Sequence, residues 1–326
     1  MTQLTRRGLA ALGLSGLAAP ALAQGDFPRQ PVRVIVPFAA GTGSDIAARI
    51  VANETRHRLP QPLVIENRAG GGGITGTEQG ARAAPDGYTL TVGTTSTWIT
   101  NPALNPRVAY SFERDFTPVS LFGRSFYAVV TANTPQAPRT LAELIERLRA
   151  RPGEATFGSS GAGTITHLAT EVILHRAGVT ATHVPYRGSA PAMTDIAAGQ
   201  VLFGSDTLAA TVPLIRNGTL RALAVTSPER SPALPEVPTV GESGYPGVVL
   251  DAWFGVAAPA ATPAPVIAVL AEAIGAAARS PEALARFDAL GINPLGLGPA
   301  EFGAFVRENA GFWRDFIRAS GIRVEF

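Results

Sequence analysis

The feature that most constrains this sequence is a repeated alternation of short apolar runs with longer helical patterns, joined by loops of Gly, Ser and Thr. Val32–Val36 is predicted to be a strand that Pro37 ends, and helical spacing follows a glycine-bearing loop as far as about Leu59. Leu63–Glu66 and Tyr88–Thr94 are predicted to be the next strands. This rhythm predicts a parallel sheet with helices on both faces.

A second series of the same kind follows along the chain. Its predicted strands are Ala128–Thr131, Ala155–Gly158, His183–Pro185, Val201–Phe203, Leu220–Val225 and Trp253–Ala257. The predicted helices of the chain's later part are Leu141–Ala150, Thr166–Ala177, Ala190–Gly199, Ala264–Ala278, Pro281–Leu290 and Pro299–Ser320. Two series in 326 residues predict two α/β units. Because ligands bind outside the carboxyl ends of such strands, we expect loops from both series to meet across one cleft.

The first residues are typical of an export signal. Met1–Arg7 is basic, Gly8–Leu22 is apolar and uncharged, and Ala21–Ala23 fits the small-x-small cleavage rule. The sequence therefore predicts a signal peptide over 1–23, cleaved after Ala23, and a periplasmic mature protein. Thr5–Leu9 also resembles a twin-arginine signal, so both export routes stay open.

Charge and cysteine usage exclude several classes of function. Removal of a signal that contains Arg6 and Arg7 leaves equal numbers of basic and acidic residues, with no basic tract for nucleic acid or an anionic membrane. The chain has no cysteine, which excludes disulfides, thiolate chemistry and an N-terminal lipoprotein anchor.

The motifs of enzymes are incomplete in this sequence. Gly158–Gly163 fails G-x-S-x-G because residue 162 is Ala. The four histidines form neither H-E-x-x-H nor H-x-H, so no metal is expected. Gly71–Gly76 matches G-x-G-x-x-G, but the strand that follows ends without an acid for a ribose hydroxyl, so no cofactor is expected. We therefore expect no catalysis.

Four loops are instead typical of anion binding. Each is rich in Gly, Ser or Thr and precedes a predicted helix, whose first N–H groups lack internal partners and carry a partial positive charge. These loops are Ala39–Ser44, Gly70–Gly73, Thr94–Thr97 and Ser159–Thr164. Ser44 or Asp45 is expected to cap the first helix. Together the loops suit a carboxylate or a phosphate.

Several blocks, in order along nearly the whole predicted mature chain, resemble the Bug family, the periplasmic receptors of tripartite tricarboxylate transporters. The blocks are Val34–Gly41, Ser44–Asp45, Glu66–Gly70, Asp86–Leu90, His183–Ala192 and Thr226–Pro232. The resemblance implies a two-domain periplasmic binding protein of the Venus-flytrap, type II-like class, with the ligand in the interdomain cleft. It also implies carboxylates held largely by backbone N–H groups and hydroxyls.

The resemblance also implies domain limits and site residues. One domain would span 24–130 plus 226–326 and the other 131–225, with hinge crossovers near Val130 and Val225. The implied ligand-binding residues are Phe38, Ala39, Ser44, Asp45, Ser160, Gly163, Thr164, His167, Tyr186 and Asp206, and Thr95 joins them from its own loop. Asp45 and Asp206 are expected to orient loops or to meet a polar ligand group, because a bare carboxylate repels an anion. Trp98 forms a ligand-facing wall or is a packed aromatic.

The sequence departs from the family's usual pattern at a few positions of these loops. Thr42 stands where Gly is common and Ser44 where Thr is frequent, while Ala69 and Gly71 replace a usual Pro and Ala. These changes leave the identity of the carboxylate open. The expected partners are that carboxylate and the permease subunits of a tripartite transporter, and a monomer is expected. A periplasmic α/β enzyme and a ligand-delivery protein for a sensor kinase are the alternatives.

Overall fold

The structure is a computed structural model of the chain and describes residues 27–320. The predicted signal peptide therefore lies outside the described residues. The strands are β1 Val32–Val36, β2 Leu63–Asn67, β3 Thr89–Gly93, β4 Phe116–Ala132, β5 Thr156–Ser159, β6 Thr182–Pro185, β7 Phe203–Thr207, β8 Leu220–Val225, β9 Asp251–Pro259 and β10 Ile292–Leu297.

Helices cover both faces of these strands. They are α1 Gly43–Glu54, α2 Ile74–Ala81, α3 Asn101–Leu104, α4 Phe112–Asp115, α5 Leu141–Ala150, α6 Ile165–Ala177, α7 Ser189–Ala197, α8 Leu208–Arg216, α9 Ala264–Ala278, α10 Pro281–Ala289 and α11 Pro299–Ser320. A π-helical turn, Ser96–Thr100, precedes α3. No helix in this part of the chain is long and apolar enough to cross a membrane.

One half of the sheet has the strand order β2-β1-β3-β9-β4. β1 is parallel to β2 and β3, as the alternation predicts, whereas β9 is antiparallel to both β3 and β4. The run Val34–Val36 is buried throughout because helices cover both faces of these parallel strands. This half therefore contains strands from both ends of the described chain.

The other half contains β7, β5 and β6, in that order from β4. β5 is parallel to β6 and β7, and β7 returns antiparallel to β4. Helices α5 to α8 belong to this half and alternate with its strands along the chain. The second predicted α/β series as far as Phe203 thus forms its own half of the sheet, whereas its last strand, Trp253–Ala257, lies within β9 of the first half.

A single strand of 17 residues, β4, joins the two halves. Up to Phe126 it pairs with β9, and from Tyr127 onwards it pairs with β7. The sequence predicted only Ala128–Thr131, which lies near the C-terminal end of this strand. The first part was missed because Pro118 and Gly123 interrupt the apolar pattern, and the pairing shifts register close to both residues.

Other differences from the sequence predictions have local causes. Thr42, not Ser44 or Asp45, caps α1, since its side-chain oxygen accepts a hydrogen bond from the Asp45 backbone N–H. Helix α8 was missed because Pro213 lies inside it, and β10 because Pro294 and Gly296 break its pattern.

Trp98 lies in an aromatic cluster of the first half, away from the cleft. Its ring centroid lies 4.8 Å from that of Phe112, 6.0 Å from that of Trp253 and 5.9 Å from that of Phe302. Only 4% of its surface is exposed. Of the two interpretations of Trp98, the structure therefore supports the packed aromatic, and the ligand-facing wall is wrong.

The Trp98 ring leaves no room at Gly93, the last residue of β3, where a Cβ would overlap the indole. We expect Gly93→Ala to lower the free energy of unfolding by about 1–3 kcal/mol, as overpacking does in other cores. Thermal unfolding of Gly311→Ala is the control, because a Cβ at this helical position meets nothing within 4 Å. That variant should be unchanged or slightly more stable. Equal midpoints for both variants would contradict the packing described here.

Candidate functional site

A cavity of about 40 Å³ lies where the two halves of the sheet meet. Four of the predicted ligand-binding residues line it, namely Phe38, Ser44, Ser160 and Asp206. Thr94 and Ser96 of the predicted anion-binding loop Thr94–Thr97 also line it, and so do Tyr127, Thr166 and Ser189, which were not among the predicted ligand-binding residues. The walls come from both halves of the sheet, so the cavity depends on how the halves approach each other.

Four helices begin at this cavity. The first turn of α1 contributes Gly43 and Ser44, that of α6 contributes Thr166, α7 begins with Ser189, and Thr207 is the N-cap of α8. The caps of α6, α7 and α8 make no side-chain hydrogen bond to their helices, unlike Thr140 and Ser280 at the starts of α5 and α10. The Ile165 N–H of α6 donates to Ser96 Oγ and the Ala209 N–H of α8 to Ser125 Oγ. The other first-turn N–H groups, with the partial positive charge of each helix, favour an anion in the cavity.

Hydroxyl groups of the second half line the cavity beside these helix ends. The Ser160 N–H donates to Thr166 Oγ1 at 2.9 Å, and the hydroxyls of Ser160 and Thr166 are 2.7 Å apart. Thr164, a predicted ligand residue, joins the network at 2.9 Å from Thr166 and donates to the Gly161 carbonyl, but it does not line the cavity. The network can reorient its hydroxyl hydrogens, so it can donate to a bound anion.

The loops of the two halves bind each other directly. Thr100 Oγ1 donates to the Gly163 carbonyl at 2.9 Å, and the Ile165 N–H donates to Ser96 Oγ, also at 2.9 Å. The predicted residue Gly163 therefore bridges the halves through its backbone. Such hydrogen bonds hold the cavity closed in this conformation.

Asp45 lies behind the first loop, outside the cavity lining. Its carboxylate accepts hydrogen bonds from the Gly41 N–H at 3.0 Å and the Asn67 side chain at 2.9 Å, and it pairs with Arg49 at 3.0 Å. Of the two roles expected for it, the structure supports the orientation of the loop. Thr95 is also buried and lies between two lining residues, but does not itself line the cavity.

Asp206, unlike Asp45, lines the cavity, and it is only 2% exposed. Its Oδ1 accepts a hydrogen bond from the Thr207 N–H at 2.7 Å. Burial raises the pKa of Asp206 to about 6, although hydrogen bonds from Ser189 and Thr207 act against the rise. Asp206 is the only Asp, Glu, Arg or His in the lining as far as the described residues go.

Tyr127 is the lining residue that the sequence analysis most clearly missed. It is fully buried, and within the described part of the chain its hydroxyl has no hydrogen-bond partner. Burial raises the pKa of Tyr127 well above its ordinary value, and the nearby charges of Asp206 and Asp251 add to this. The phenol therefore stays protonated and can donate a hydrogen bond. No motif marked it, because it lies where β4 changes partners.

His167, a predicted ligand residue, lies behind the Ser159–Thr164 loop and not in the cavity lining. Its Nδ1 accepts a hydrogen bond from the Gly163 N–H at 3.2 Å, and its ring stacks on that of His183 with centroids 3.7 Å apart. His183 in turn lies 2.6 Å from Ser159 Oγ through Nε2. The two rings brace the loop from behind.

A larger pocket of about 400 Å³ adjoins the cavity and shares Phe38 and Ser160 with it. Tyr186 lines this outer pocket, and its hydroxyl donates to Asp195 at 2.6 Å. Ala39, the last of the predicted residues, lies at the closest approach of the first loop to Gly188. Arg107 and Arg187 line the outer pocket and are exposed, so they place positive charge at the mouth of the cavity.

A group of three or more His, Cys, Asp or Glu that could hold a metal does not occur among residues 27–320. The polar groups in the cavity lining are backbone N–H groups, the hydroxyls of Ser, Thr and Tyr127, and Asp206.

Comparison with known proteins gives consistent matches. A family described as the tripartite tricarboxylate transporter family receptor matches residues 47–322. Protein BugT of Bordetella pertussis is 36% identical over 324 residues, covering 98% of this chain and 99% of BugT.

Solved structures match equally well. An R. palustris protein with adipate has a TM-score of 0.88 at 34% identity, covering 91% of this chain and 99% of that one. MatC of Rhodopseudomonas palustris, with bound malate, has a TM-score of 0.83 at 33% identity, covering 89% and 99%. These matches confirm the predicted α/β fold of periplasmic binding proteins.

The pKa of His183 is lowered to about 3, first by burial and then by the neighbouring His167. In the unfolded chain the same group titrates near 6.5, so the unfolded state takes up a proton as pH falls below that value while the folded state does not. The folded state therefore loses stability as pH falls from about 6.5 towards 3. We expect a shallower loss for His183→Phe, measured as the free energy of unfolding between pH 8 and pH 4. The difference between the two proteins at pH 8 measures the change in packing alone. If the free energy of unfolding fell equally with pH in both proteins, the burial of a neutral His183 would be contradicted.

Proposed function

Because the chain belongs to the tripartite tricarboxylate transporter receptor family, as its resemblance to the Bug proteins predicted, we propose that it captures a small organic carboxylate in the cavity between its two halves. The observation that carries this proposal is the convergence of four helix N-termini on a cavity without a basic side chain. The adipate and malate bound by two structural relatives support a carboxylate over a phosphate.

The two halves of the sheet act as closing domains, 24–130 plus 226–326 and 131–225. The hinge lies near the predicted crossovers, Val130 and Val225. Support comes from β4, which changes partners at Phe126 and Tyr127, and from the return of the chain, where Thr226 Oγ1 donates to the Leu250 carbonyl at 2.6 Å. Ligand that binds the closed form better shifts the population towards it.

The protein binds its ligand and does not transform it. Between residues 27 and 320, the contact of Ser159 with His183 is the one that resembles a nucleophile and its base, but Ser159 is 1% exposed and does not line the cavity. With a pKa near 3, His183 is also a poor proton acceptor at neutral pH. Both points argue against the alternative of a periplasmic enzyme.

The mature receptor is a periplasmic monomer, released by cleavage after Ala23, that presents its closed form to the permease subunits of a tripartite transporter. The family's periplasmic binding proteins support the location. Arg107 and Arg187 in the outer pocket support the capture of an anion, since exposed positive charge steers anions towards a site.

The test of carboxylate capture is thermal unfolding of the protein from Gln24 onwards, refolded from denaturant to remove carried-over ligand, against a panel of carboxylic acids. Acid at about 100 times its Kd stabilises the folded state by roughly 2.7 kcal/mol, which shifts the midpoint by several degrees. We expect one acid or a few related acids to shift it. Inorganic phosphate is the control, and a flat response to every acid would contradict carboxylate capture.

Closure is tested at Gly43, where a Cβ would overlap the hydroxyl of Thr207 across the cavity. A clash of this kind costs about 1–3 kcal/mol, so Gly43→Ala should weaken binding of the identified acid about 5- to 150-fold. Its unfolding midpoint without ligand should stay near that of the unmodified protein. Gly311→Ala, where a Cβ meets nothing within 4 Å, should bind normally in calorimetric titration. Full affinity in Gly43→Ala would contradict closure of the two halves around the ligand.

A further inference from the structure

Asp206 sets a problem for a receptor of anions. The residue is 2% exposed and lines the same cavity as the four helix N-termini, and the lining contains no basic side chain. A bare carboxylate ligand would place a second negative charge in this small cavity, which is costly at low dielectric. The arrangement becomes favourable when the ligand itself gives a hydrogen to Asp206.

Tyr127 supplies the matching group. The residue lines the cavity, and its buried hydroxyl finds no partner within the described part of the chain. Buried hydroxyls without a partner are uncommon, and one carried by a cavity-lining residue can be satisfied when a bound molecule supplies the missing acceptor. Since β4 carries Tyr127 and β7 ends in Asp206 and Thr207, the two groups reach the cavity from neighbouring strands.

The size of the cavity limits where on the ligand the hydrogen-bond donor for Asp206 can be. About 40 Å³ leaves space for roughly three water molecules, which corresponds to a carboxylate and very little more. A donor that reaches Asp206 while the carboxylate meets the helix N-termini must therefore be attached close to that carboxylate. The rest of a longer ligand can extend into the outer pocket of about 400 Å³.

We propose that Asp206 and Tyr127 make the receptor selective for carboxylates that carry a hydrogen-bond donor, a hydroxyl or an ammonium group, on the carbon next to the carboxylate. This inference rests on the proposed function and narrows its ligand class. Asp206 accepts the hydrogen bond from the donor, and Tyr127 donates to the oxygen of that group where it is a hydroxyl. Burial, which brings the pKa of Asp206 to about 6, still leaves it ionised and accepting at neutral pH.

Matched acids that differ only on that carbon test the selectivity. Titration calorimetry at pH 7.5 would compare propionate, lactate and alanine, then succinate, malate and aspartate, then glutarate, 2-hydroxyglutarate and glutamate, together with aromatic acids. In the set that binds, we expect a donor-bearing acid to bind about 10- to 100-fold more tightly than the acid without a donor, the range for a hydrogen bond to a buried charge. Equal affinity within the set, or tightest binding by an acid without a donor, would overturn the inference.

Two variants assign the selectivity to these residues. Asp206→Asn keeps an oxygen for the Thr207 N–H but removes the charge, so the preference for donor-bearing acids should fall about tenfold or more. Tyr127→Phe removes one hydroxyl and should weaken the hydroxy acid about 5- to 10-fold, and the amino acid less, because an ammonium group cannot accept a hydrogen bond. These two responses distinguish a hydroxyl ligand from an ammonium ligand.

Tyr110→Phe is the matched control, since Tyr110 is 4% exposed and lies outside the cavity lining. It should bind every acid as the unmodified protein does. A preference unchanged in both Asp206→Asn and Tyr127→Phe would overturn the assignment while leaving carboxylate capture intact. A protein that binds no acid at all would instead contradict the proposed function itself.

Discussion

N–H groups at the starts of α1, α6, α7 and α8 converge on one cavity from both halves of the sheet. Three of these helices begin without a hydrogen bond from the side chain of their own N-cap residue. The Ile165 N–H of α6 donates to Ser96 and the Ala209 N–H of α8 to Ser125, and other first-turn N–H groups are left to meet a bound anion. The convergence requires the loops after β1 and β3 to face those after β5, β6 and β7, and Thr100 and Ser96 of the loop after β3 bind backbone groups of the opposite half directly. The binding site and its closure thus both depend on how the loops of the two halves face each other.

An anion held in this way needs no lysine or arginine. Helix ends and hydroxyls offer fixed partial charges that need little rearrangement on binding, whereas a buried guanidinium would have to be desolvated whenever the cavity closed empty. The cations stay outside, as Arg107 and Arg187 at the mouth, where water screens them. Asp206 then acts as a filter, because its buried charge lowers the affinity of every anion that brings no hydrogen for it.

The sequence predicted much of the fold, and it predicted the site in part. Helices α5, α9 and α11 lie where helical spacing placed them, and strands β1 and β8 match their apolar runs. The long β4 was found only at one end, because a strand that changes partners midway and contains bulges has no single pattern. For the same reason no sequence pattern identified Tyr127 as a residue of the site. The resemblance implied His167 and Asp45 as ligand-binding residues, with loop orientation as one of two roles for Asp45. A family motif does not distinguish a residue that faces the cavity from one that supports the loop from behind.

The most direct measurement is a crystal structure of the receptor with the acid that stabilises it most. The account predicts the ligand carboxylate within about 3 Å of backbone N–H groups at the starts of helices from both halves, with no guanidinium in contact and a ligand hydroxyl or ammonium group at Asp206. A carboxylate bound instead by Arg107 or Arg187 in the outer pocket, with the inner cavity left to water, would contradict it.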